Sequence, residues 1–205
     1  LMFIALDKLH NQGLHQAIVV VPERSIGGSF ADEPLSKFGF YWDWQVSPQW
    51  NLCNAPGIDE PRVAKSKVGA VGKFLESIDK VLVCTHATFR FAVEELGIEA
   101  FDNRLIAIDE FHHVSANPDN KLGGQLSAFI SRDKVHLVAM TGSYFRGDSE
   151  AVLAPAEEAK FETVTYTYYE QLNGYRWLKS LDIGYFFYTG KYVDAVAKVL
   201  DPALK

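Results

Sequence analysis

The chain has 205 residues, of which 48% are hydrophobic and 22% charged, and its net charge is −6. This composition excludes a disordered chain and argues against a protein that coats nucleic acid by bulk positive charge, although a local phosphate-binding track is compatible with it. The length suits one large domain, or one domain and the start of another. No apolar run is long enough to span a bilayer, and the scattered Cys53 and Cys84 are typical of a protein in the reducing cytosol.

Along the first 141 residues, short apolar runs alternate with segments whose apolar residues have the spacing of a helix. We predict helices over 1–12, 62–78, 87–96 and 122–130 and strands over 17–22, 80–85, 104–109 and 135–141. Residues 23–50 are rich in glycine, proline and aromatic residues and are predicted to be irregular. Strands separated by helices indicate βαβ units, so the predicted fold class is α/β, with a mostly parallel central sheet flanked by helices on both faces.

The pattern changes after residue 148. Residues 155–160 are polar, and residues 161–169 alternate β-branched and aromatic side chains with polar ones, which predicts an edge or antiparallel strand. A helix over 171–181, a strand over 184–188 and a helix over 192–200 follow. We therefore predict two regions, a first domain over 1–155 and a C-terminal extension over 156–205.

The strongest local signal is the pair Asp109-Glu110, because four apolar residues lead directly into it and two histidines, His112 and His113, follow it closely. An apolar run of this kind is typical of a buried parallel strand, and ligands of open α/β sheets bind outside the carboxyl ends of such strands. Paired carboxylates at that place suit a metal-bound triphosphate: one holds Mg²⁺, usually through water, and the other orients or deprotonates the attacking water. The chain's other Asp-Glu pairs precede proline in loop-like contexts and are predicted to be solvated turns.

Polar signatures also follow the other predicted strands. Residues 19–25 read Val-Val-Val-Pro-Glu-Arg-Ser, residues 83–88 read Val-Cys-Thr-His-Ala-Thr, and residues 138–146 read Val-Ala-Met-Thr-Gly-Ser-Tyr-Phe-Arg. In this order, residues 1–147 resemble the first RecA-like domain of superfamily 2 helicases, most of all the DExH branch with the helicase subunits of restriction systems. Residues 109–112 match motif II and residues 141–143 match motif III, whereas residues 22–25 and 85–88 lie where motifs Ia and Ib lie.

The resemblance implies a RecA-like three-layer fold and a nucleic-acid-dependent ATPase that uses ATP and Mg²⁺, a helicase or translocase. DNA is favoured over RNA as the partner, a membrane is not expected, and a second RecA-like domain would belong to the same parent chain. The implied roles are these: Asp109 binds Mg²⁺; Glu110 is the general base; His112, Thr141 and Ser143 couple nucleotide state to motion; Arg24, Ser25, Thr85, His86 and Thr88 contact the nucleic-acid backbone.

The chain departs from the family in its phosphate-binding loop, because the Gly-x-x-x-x-Gly-Lys-Ser/Thr sequence is absent. The run Gly69-Ala-Val-Gly-Lys73 has the wrong spacing and lies in a helix-like segment. In the family, the helix after that loop begins with an apolar run similar to residues 1–9. We therefore expect the chain to be a fragment that starts just after the loop, lacks the second RecA-like domain and is inactive as a hydrolase when isolated.

Two other functions remain open: a degenerate helicase-like domain that binds nucleic acid or protein without catalysis, and a P-loop ATPase with no nucleic-acid partner. Structural explanations also exist for single features. His112 suits an interior histidine, Thr141 and Ser143 suit helix caps, and the candidate nucleic-acid contacts suit ordinary loop residues. A zinc site at Asp109, His112 and His113 is disfavoured because adjacent histidines project differently. The aromatic residues between 38 and 50 suit a local core or hairpin better than base stacking.

Overall fold

The structure is a computed structural model that describes residues 1–54, 61–114, 120–142, 152–167 and 169–170, with residues 61–65 described as backbone only. The chain divides into two compact units, Leu1–Glu162 and Thr163–Lys205. The fold below is that of the first unit. None of the helices in the described ranges has the length and apolar composition needed to cross a bilayer.

A four-stranded parallel sheet forms the centre of the first unit, with the strand order β2-β1-β3-β4. Its strands are β1 (Ala17–Val21), β2 (Val81–Thr85), β3 (Leu105–Ile108) and β4 (His136–Ala139). The sheet is flanked by helices, which confirms the predicted α/β class and is consistent with a RecA-like fold. All four predicted strands are present, and each observed strand is one to three residues shorter than the predicted range.

Six α-helices lie in the described part of the chain, and four of them match the predicted helices. Thr85 begins the fourth helix by accepting a hydrogen bond from the backbone N–H of Thr88, and Asn120 begins the fifth by accepting one from the N–H of Gly123. The helices are α1 (Met2–His10), α2 (Arg24–Gly27), α3 (Pro61–Glu76), α4 (His86–Leu96), α5 (Lys121–Arg132) and α6 (Pro155–Glu158).

The core has two halves because successive strand residues point to opposite faces of the sheet. On one face, Ile18 and Val20 pack in a cluster with buried residues of α4 and α5. On the other face, Val19 and Val21 pack in a second cluster with α1 and with the buried Trp44. Burial on both faces explains why these strands read as continuous apolar runs rather than as alternating patterns.

The predicted strand over 161–169 is wrong for the residues that the structure describes. Residues 161–167 form no strand, and all of them after Phe161 are exposed. An alternating pattern specifies a strand only where a neighbouring strand and a core are available, since β-propensity reflects packing more than backbone preference. The polar stretch before it contains α6. The elements predicted over 171–200 lie outside the described residues.

The amino end of the sheet is held by a polar network around Gln16 and Arg104. Gln16 donates to the carbonyl of Phe74 at 2.6 Å and accepts from Arg104 Nε at 2.7 Å. Arg104 also donates to the carbonyls of Leu75 and Ala100 at 2.8 and 2.9 Å, and burial lowers the pKa of its guanidinium. Because these bonds use several donors of Arg104 at the end of the sheet opposite Asp109, its role is structural.

Gly27 lies at the end of α2, where the chain passes very close to Cys53. A Cβ atom at Gly27 would lie 2.3 Å from the Cβ of Cys53, whereas a Cβ at the neighbouring Gly28 would meet nothing within 4 Å. We expect Gly27→Ala to lower the free energy of unfolding by about 1–3 kcal/mol, the usual cost of overpacking. Urea unfolding followed by tryptophan fluorescence measures this. Gly28→Ala is the matched control, and an equal effect of both substitutions would contradict the steric explanation.

Candidate active site

The site lies at the carboxyl edge of the sheet, at the place where the strand order reverses. The chain leaves β1 toward the β2 edge and leaves β3 toward the β4 edge, so the loops that follow β1 and β3 diverge between two neighbouring strands. The crevice outside such a switch point is where open α/β sheets bind ligands. The predicted carboxylates Asp109 and Glu110 directly follow β3 and therefore lie at this crevice.

Asp109 and Glu110 are held by the backbone in a sharp turn. The N–H of Asp109 donates to the carbonyl of Val20 at 2.9 Å, which extends the pairing between β1 and β3 by one residue. Glu110 has φ 48° and ψ 50°, a left-handed conformation that is costly for a residue with a side chain. Its N–H donates to Asp109 Oδ1 at 3.0 Å. The turn separates the two half-exposed carboxylates from the buried strand and presents both at the crevice.

His112 connects the carboxylate turn to the end of the next strand. Its Nδ1 lies 2.8 Å from Thr141 Oγ1 and 3.1 Å from Glu110 Oε2. Because a carboxylate can only accept, a proton on Nδ1 would be shared between the carboxylate and the hydroxyl. Phe111 strengthens the same connection by donating its N–H to the carbonyl of Met140 at 2.8 Å. The ends of β3 and β4 are thus joined through one imidazole ring.

His86 approaches the same turn from the other side. It follows β2 as the first residue of α4, and its Nε2 lies 2.9 Å from the carbonyl oxygen of Asp109. Burial lowers the pKa of the His86 ring, while the hydrogen bond to Asp109 opposes this change. A carbonyl oxygen can only accept, so the proton of the neutral ring is on Nε2. Sequence reasoning placed His86 at this edge but did not identify its contact with Asp109.

An open cavity of about 520 Å³ lies against these side chains. The loop after β1 contributes Pro22, Glu23 and Ile26, and the turn after β3 contributes Glu110. The remaining lining residues are three histidines: His86, His112 and His113. Pro22, Glu23, Ile26 and His113 were absent from the predicted site residues. The signal for Glu23 was present in the sequence, because it occupies the position directly after Pro22 at a strand end.

Comparison with known proteins places the chain beside one named protein. It is 54% identical over 201 residues to a protein of Bacillus subtilis (strain 168) that carries the name "Putative ATP-dependent helicase YeeB". The match covers 98% of this chain and 32% of that protein, so the chain spans about a third of the relative's length. No family model matches the chain, and no solved structure matches it. The chain is similar to part of a protein named as a helicase.

The carboxylates fit a magnesium ion by their chemistry. Hard oxygen ligands suit Mg²⁺, which usually takes one or two protein carboxylates and completes its shell with water and phosphate oxygens. Among the residues that the structure describes, Asp109 forms no ion pair. Within the described ranges, no three histidine, cysteine, aspartate or glutamate side chains are grouped as metal ligands, which gives no support to the alternative zinc site.

The candidate nucleic-acid contacts after β1 are Arg24 and Ser25. Arg24 Nε donates to the carbonyl of Cys53 at 2.8 Å, and Ser25 Oγ donates to Glu23 Oε1 at 2.6 Å. The first bond joins α2 to Cys53, and the second lies within residues 23–25. Both residues remain predictions as nucleic-acid contacts.

The candidates after β2 are Thr85, His86 and Thr88, which surround the start of α4. The hydroxyls of Thr85 and Thr88 lie 3.1 Å apart, and Thr88 is buried. Thr85 Oγ1 also accepts a hydrogen bond from the N–H of Thr88, so both hydroxyls take part in capping α4. All three residues remain predictions as nucleic-acid contacts. Of the coupling residues, Ser143 lies outside the described residues, and Thr141 is placed beside His112 as given above.

The aromatic residues between 38 and 50 differ in burial. Trp44 and Trp50 are buried, and Trp44 pairs with Glu33 as an antiparallel bridge, as predicted for a local core and hairpin. Phe38 and Tyr41 are 71% and 90% exposed. The buried group therefore has a packing role.

Proposed function

We propose that the chain belongs to the first RecA-like domain of a nucleic-acid-dependent ATPase of superfamily 2, a helicase or translocase of the DExH type that acts on DNA. The observation that carries the proposal is the position of Asp109 and Glu110 at the switch point of a parallel sheet, joined through His112 to Thr141 at the end of the next strand. The similarity to a protein named as an ATP-dependent helicase supports the same function.

The chemistry proposed for the site divides the two carboxylates by role. Asp109 would hold Mg²⁺, which supplies electrostatic stabilisation of charge on the phosphate oxygens when bound. Glu110 would orient the attacking water and accept its proton. His112 contacts Glu110 and Thr141, so a change at the reacting phosphate can be transmitted to the end of β4. We propose that the residues that cradle the triphosphate belong to the full-length protein and lie upstream of Leu1.

The exposed edge of the sheet supports a further strand in the full-length protein. In β4, His136 and Ala139 are exposed and Leu137 and Val138 are half-buried, whereas almost all residues of the other three strands are buried. Strands of parallel sheets are normally buried, so the exposure of β4 favours a further strand beside it in the full-length protein. We propose that such a strand leads into a phosphate-binding loop and then into α1, and that the coding sequence upstream of Leu1 ends this loop in Gly-Lys-Thr or Gly-Lys-Ser.

Hydrolysis of ATP by the full-length protein, measured with and without DNA or RNA, tests the proposal. We expect ATP hydrolysis that requires Mg²⁺ and is stimulated by DNA more than by RNA. Binding of nucleic acid without hydrolysis would instead establish the degenerate binding module, and hydrolysis that no nucleic acid stimulates would establish an ATPase of another kind. An upstream sequence with no glycine-lysine-hydroxyl loop would contradict the ATPase.

His112→Ala in the full-length protein should uncouple hydrolysis from movement. The substitution removes the ring between Glu110 and Thr141 and leaves both carboxylates in place. We expect movement per ATP hydrolysed to fall by roughly 5- to 150-fold, the range of a coupling free energy of 1–3 kcal/mol. Parallel assays of ATPase and triplex displacement measure the ratio.

Three further variants sharpen this test. Thr141→Val should produce the same defect, and the double variant should be no worse than either single one, because both remove one contact. His15→Ala is the matched control, since His15 is exposed and precedes β1 at the opposite end of the sheet. Equal losses of hydrolysis and movement in His112→Ala would point to a catalytic or folding role instead.

A further inference from the structure

His86 contacts the peptide group that sets the direction of Glu110. Its Nε2 donates to the carbonyl oxygen of Asp109 at 2.9 Å, and this carbonyl belongs to the peptide bond between Asp109 and Glu110. Glu110 then adopts its left-handed conformation, with φ 48° and ψ 50°. A costly backbone conformation persists only where neighbouring groups fix it. The bond from His86 is therefore one of the contacts that determine where the Glu110 carboxylate points.

The same histidine lies between two concave regions. On one side is the cavity that contains Glu110, described above. On the other side is a second cavity of about 500 Å³ between the starts of α4 and α5, which His86 lines together with Arg90, Asn120 and Lys121. His86 and His113 line both cavities, so they form part of the wall that the cavities share, and of the two only His86 belongs to α4.

The second cavity has the charge that a phosphate backbone requires. Arg90 and Lys121 are cationic, and the cavity lies at the N-terminal ends of α4 and α5, where the helix dipole favours an anion. Lys121 lies 3.6 Å from Glu94, so its charge is only partly balanced at an exposed position. A strand of nucleic acid in this cavity would contact α4 within one turn of His86.

We propose that His86 is a positioning residue that couples nucleic-acid contact at the start of α4 to the orientation of Glu110, through the hydrogen bond from its Nε2 to the carbonyl of Asp109. The proposal rests on the proposed function. Movement of the α4 start changes the position of the imidazole, and the imidazole is bonded to the peptide that directs the general base. Movement of the start of α4 is thus passed directly to the carboxylate turn through His86, with no other residue between them.

Two polar substitutions separate this role from a general structural one. The amide nitrogen of glutamine can reach the position of Nε2, so His86→Gln keeps a donor to Asp109. The asparagine side chain is one methylene shorter, so His86→Asn loses it. In the full-length protein, we expect His86→Asn to reduce the DNA-stimulated ATPase by roughly three- to tenfold, the effect of one hydrogen bond. His86→Gln should stay within about twofold of the natural protein. His15→Asn is the control.

A second measurement needs no nucleotide. Hydrogen–deuterium exchange of residues 105–114 is followed in the full-length protein with and without a single-stranded DNA oligonucleotide. We expect DNA to change exchange at 109–113 in the natural protein and in His86→Gln, and not in His86→Asn. Unchanged exchange in the natural protein upon DNA binding would overturn the coupling, even if His86→Asn were unstable.

The outcomes distinguish this inference from the function on which it rests. If the natural protein hydrolyses ATP and is stimulated by DNA, but both His86 variants are stimulated equally well or are impaired equally, only the role of His86 fails. If the natural protein shows neither hydrolysis nor DNA binding, the proposed function fails and the coupling fails with it.

Discussion

Glu110→Gln in the full-length protein is expected to reduce ATP hydrolysis by roughly 100- to 10,000-fold, the usual contribution of a positioned general base, while ATP still binds. Glutamine preserves the size of the side chain and one oxygen acceptor, so the contact with His112 Nδ1, 3.1 Å away, can be retained. Only the capacity to accept the proton is removed. Steady-state hydrolysis and equilibrium binding of a fluorescent ATP analogue measure the two properties separately.

Glu23→Gln is the matched control for this prediction. Glu23 lines the same cavity as Glu110 and is a carboxylate of the same length, but it accepts a hydrogen bond from Ser25 Oγ. We expect less than about a tenfold loss for this variant, since a base that is not used contributes nothing to the barrier. Near-normal turnover in Glu110→Gln would remove Glu110 from the mechanism, and a larger loss in Glu23→Gln would identify Glu23 as the base.

Asp109→Asn should cause the second large effect, a rise in the Mg²⁺ concentration needed for half-maximal rate together with a loss of roughly 100-fold or more in that rate. The amide oxygen of asparagine can still accept the hydrogen bond that Glu110 N–H donates to Asp109 Oδ1 at 3.0 Å, so the turn is preserved. The negative charge that attracts the metal is lost. Titration of the ATPase with MgCl₂ measures the change.

Asp133→Asn provides the control for the loss of charge. Asp133 is exposed at the end of α5 and has φ 54°, a conformation that asparagine adopts readily. This variant should leave the magnesium dependence unchanged. A normal magnesium dependence in Asp109→Asn would contradict the assignment of Asp109 as the metal-binding carboxylate.

The sheet was predictable because its strands are buried on both faces and so appear as short apolar runs. Residues 17–21 and 105–108 are apolar throughout, and helical spacings separate these runs from the others, which leaves βαβ units as the consistent interpretation. The position of Asp109 and Glu110 followed from the same argument, since the residue after a parallel strand must lie at the carboxyl edge of the sheet. The strand predicted over 161–169 had the right pattern, but residues 161–167 have no strand to pair with in the described structure.

Some contacts within the site could be expected from the sequence, and others could not. The approach of His112 to Thr141 could be expected, because β3 and β4 are successive parallel strands and both residues follow strand ends. The bond from His86 to Asp109 could not, because it joins residues 23 apart through a ring whose direction depends on how α4 begins. The left-handed conformation of Glu110 was equally hidden, since no glycine or asparagine marks it in the sequence.

The most direct measurement is a structure of the full-length protein with Mg²⁺ and a non-hydrolysable ATP analogue. We expect the γ-phosphate to lie outside the carboxyl ends of β1 and β3, with the metal held by Asp109 directly or through one water and a water molecule between Glu110 and the phosphorus. We also expect a lysine from a loop upstream of Leu1 to contact the phosphates. A nucleotide bound elsewhere, or bound here with Asp109 and Glu110 directed away from the metal and the water, would contradict the roles proposed for these two carboxylates.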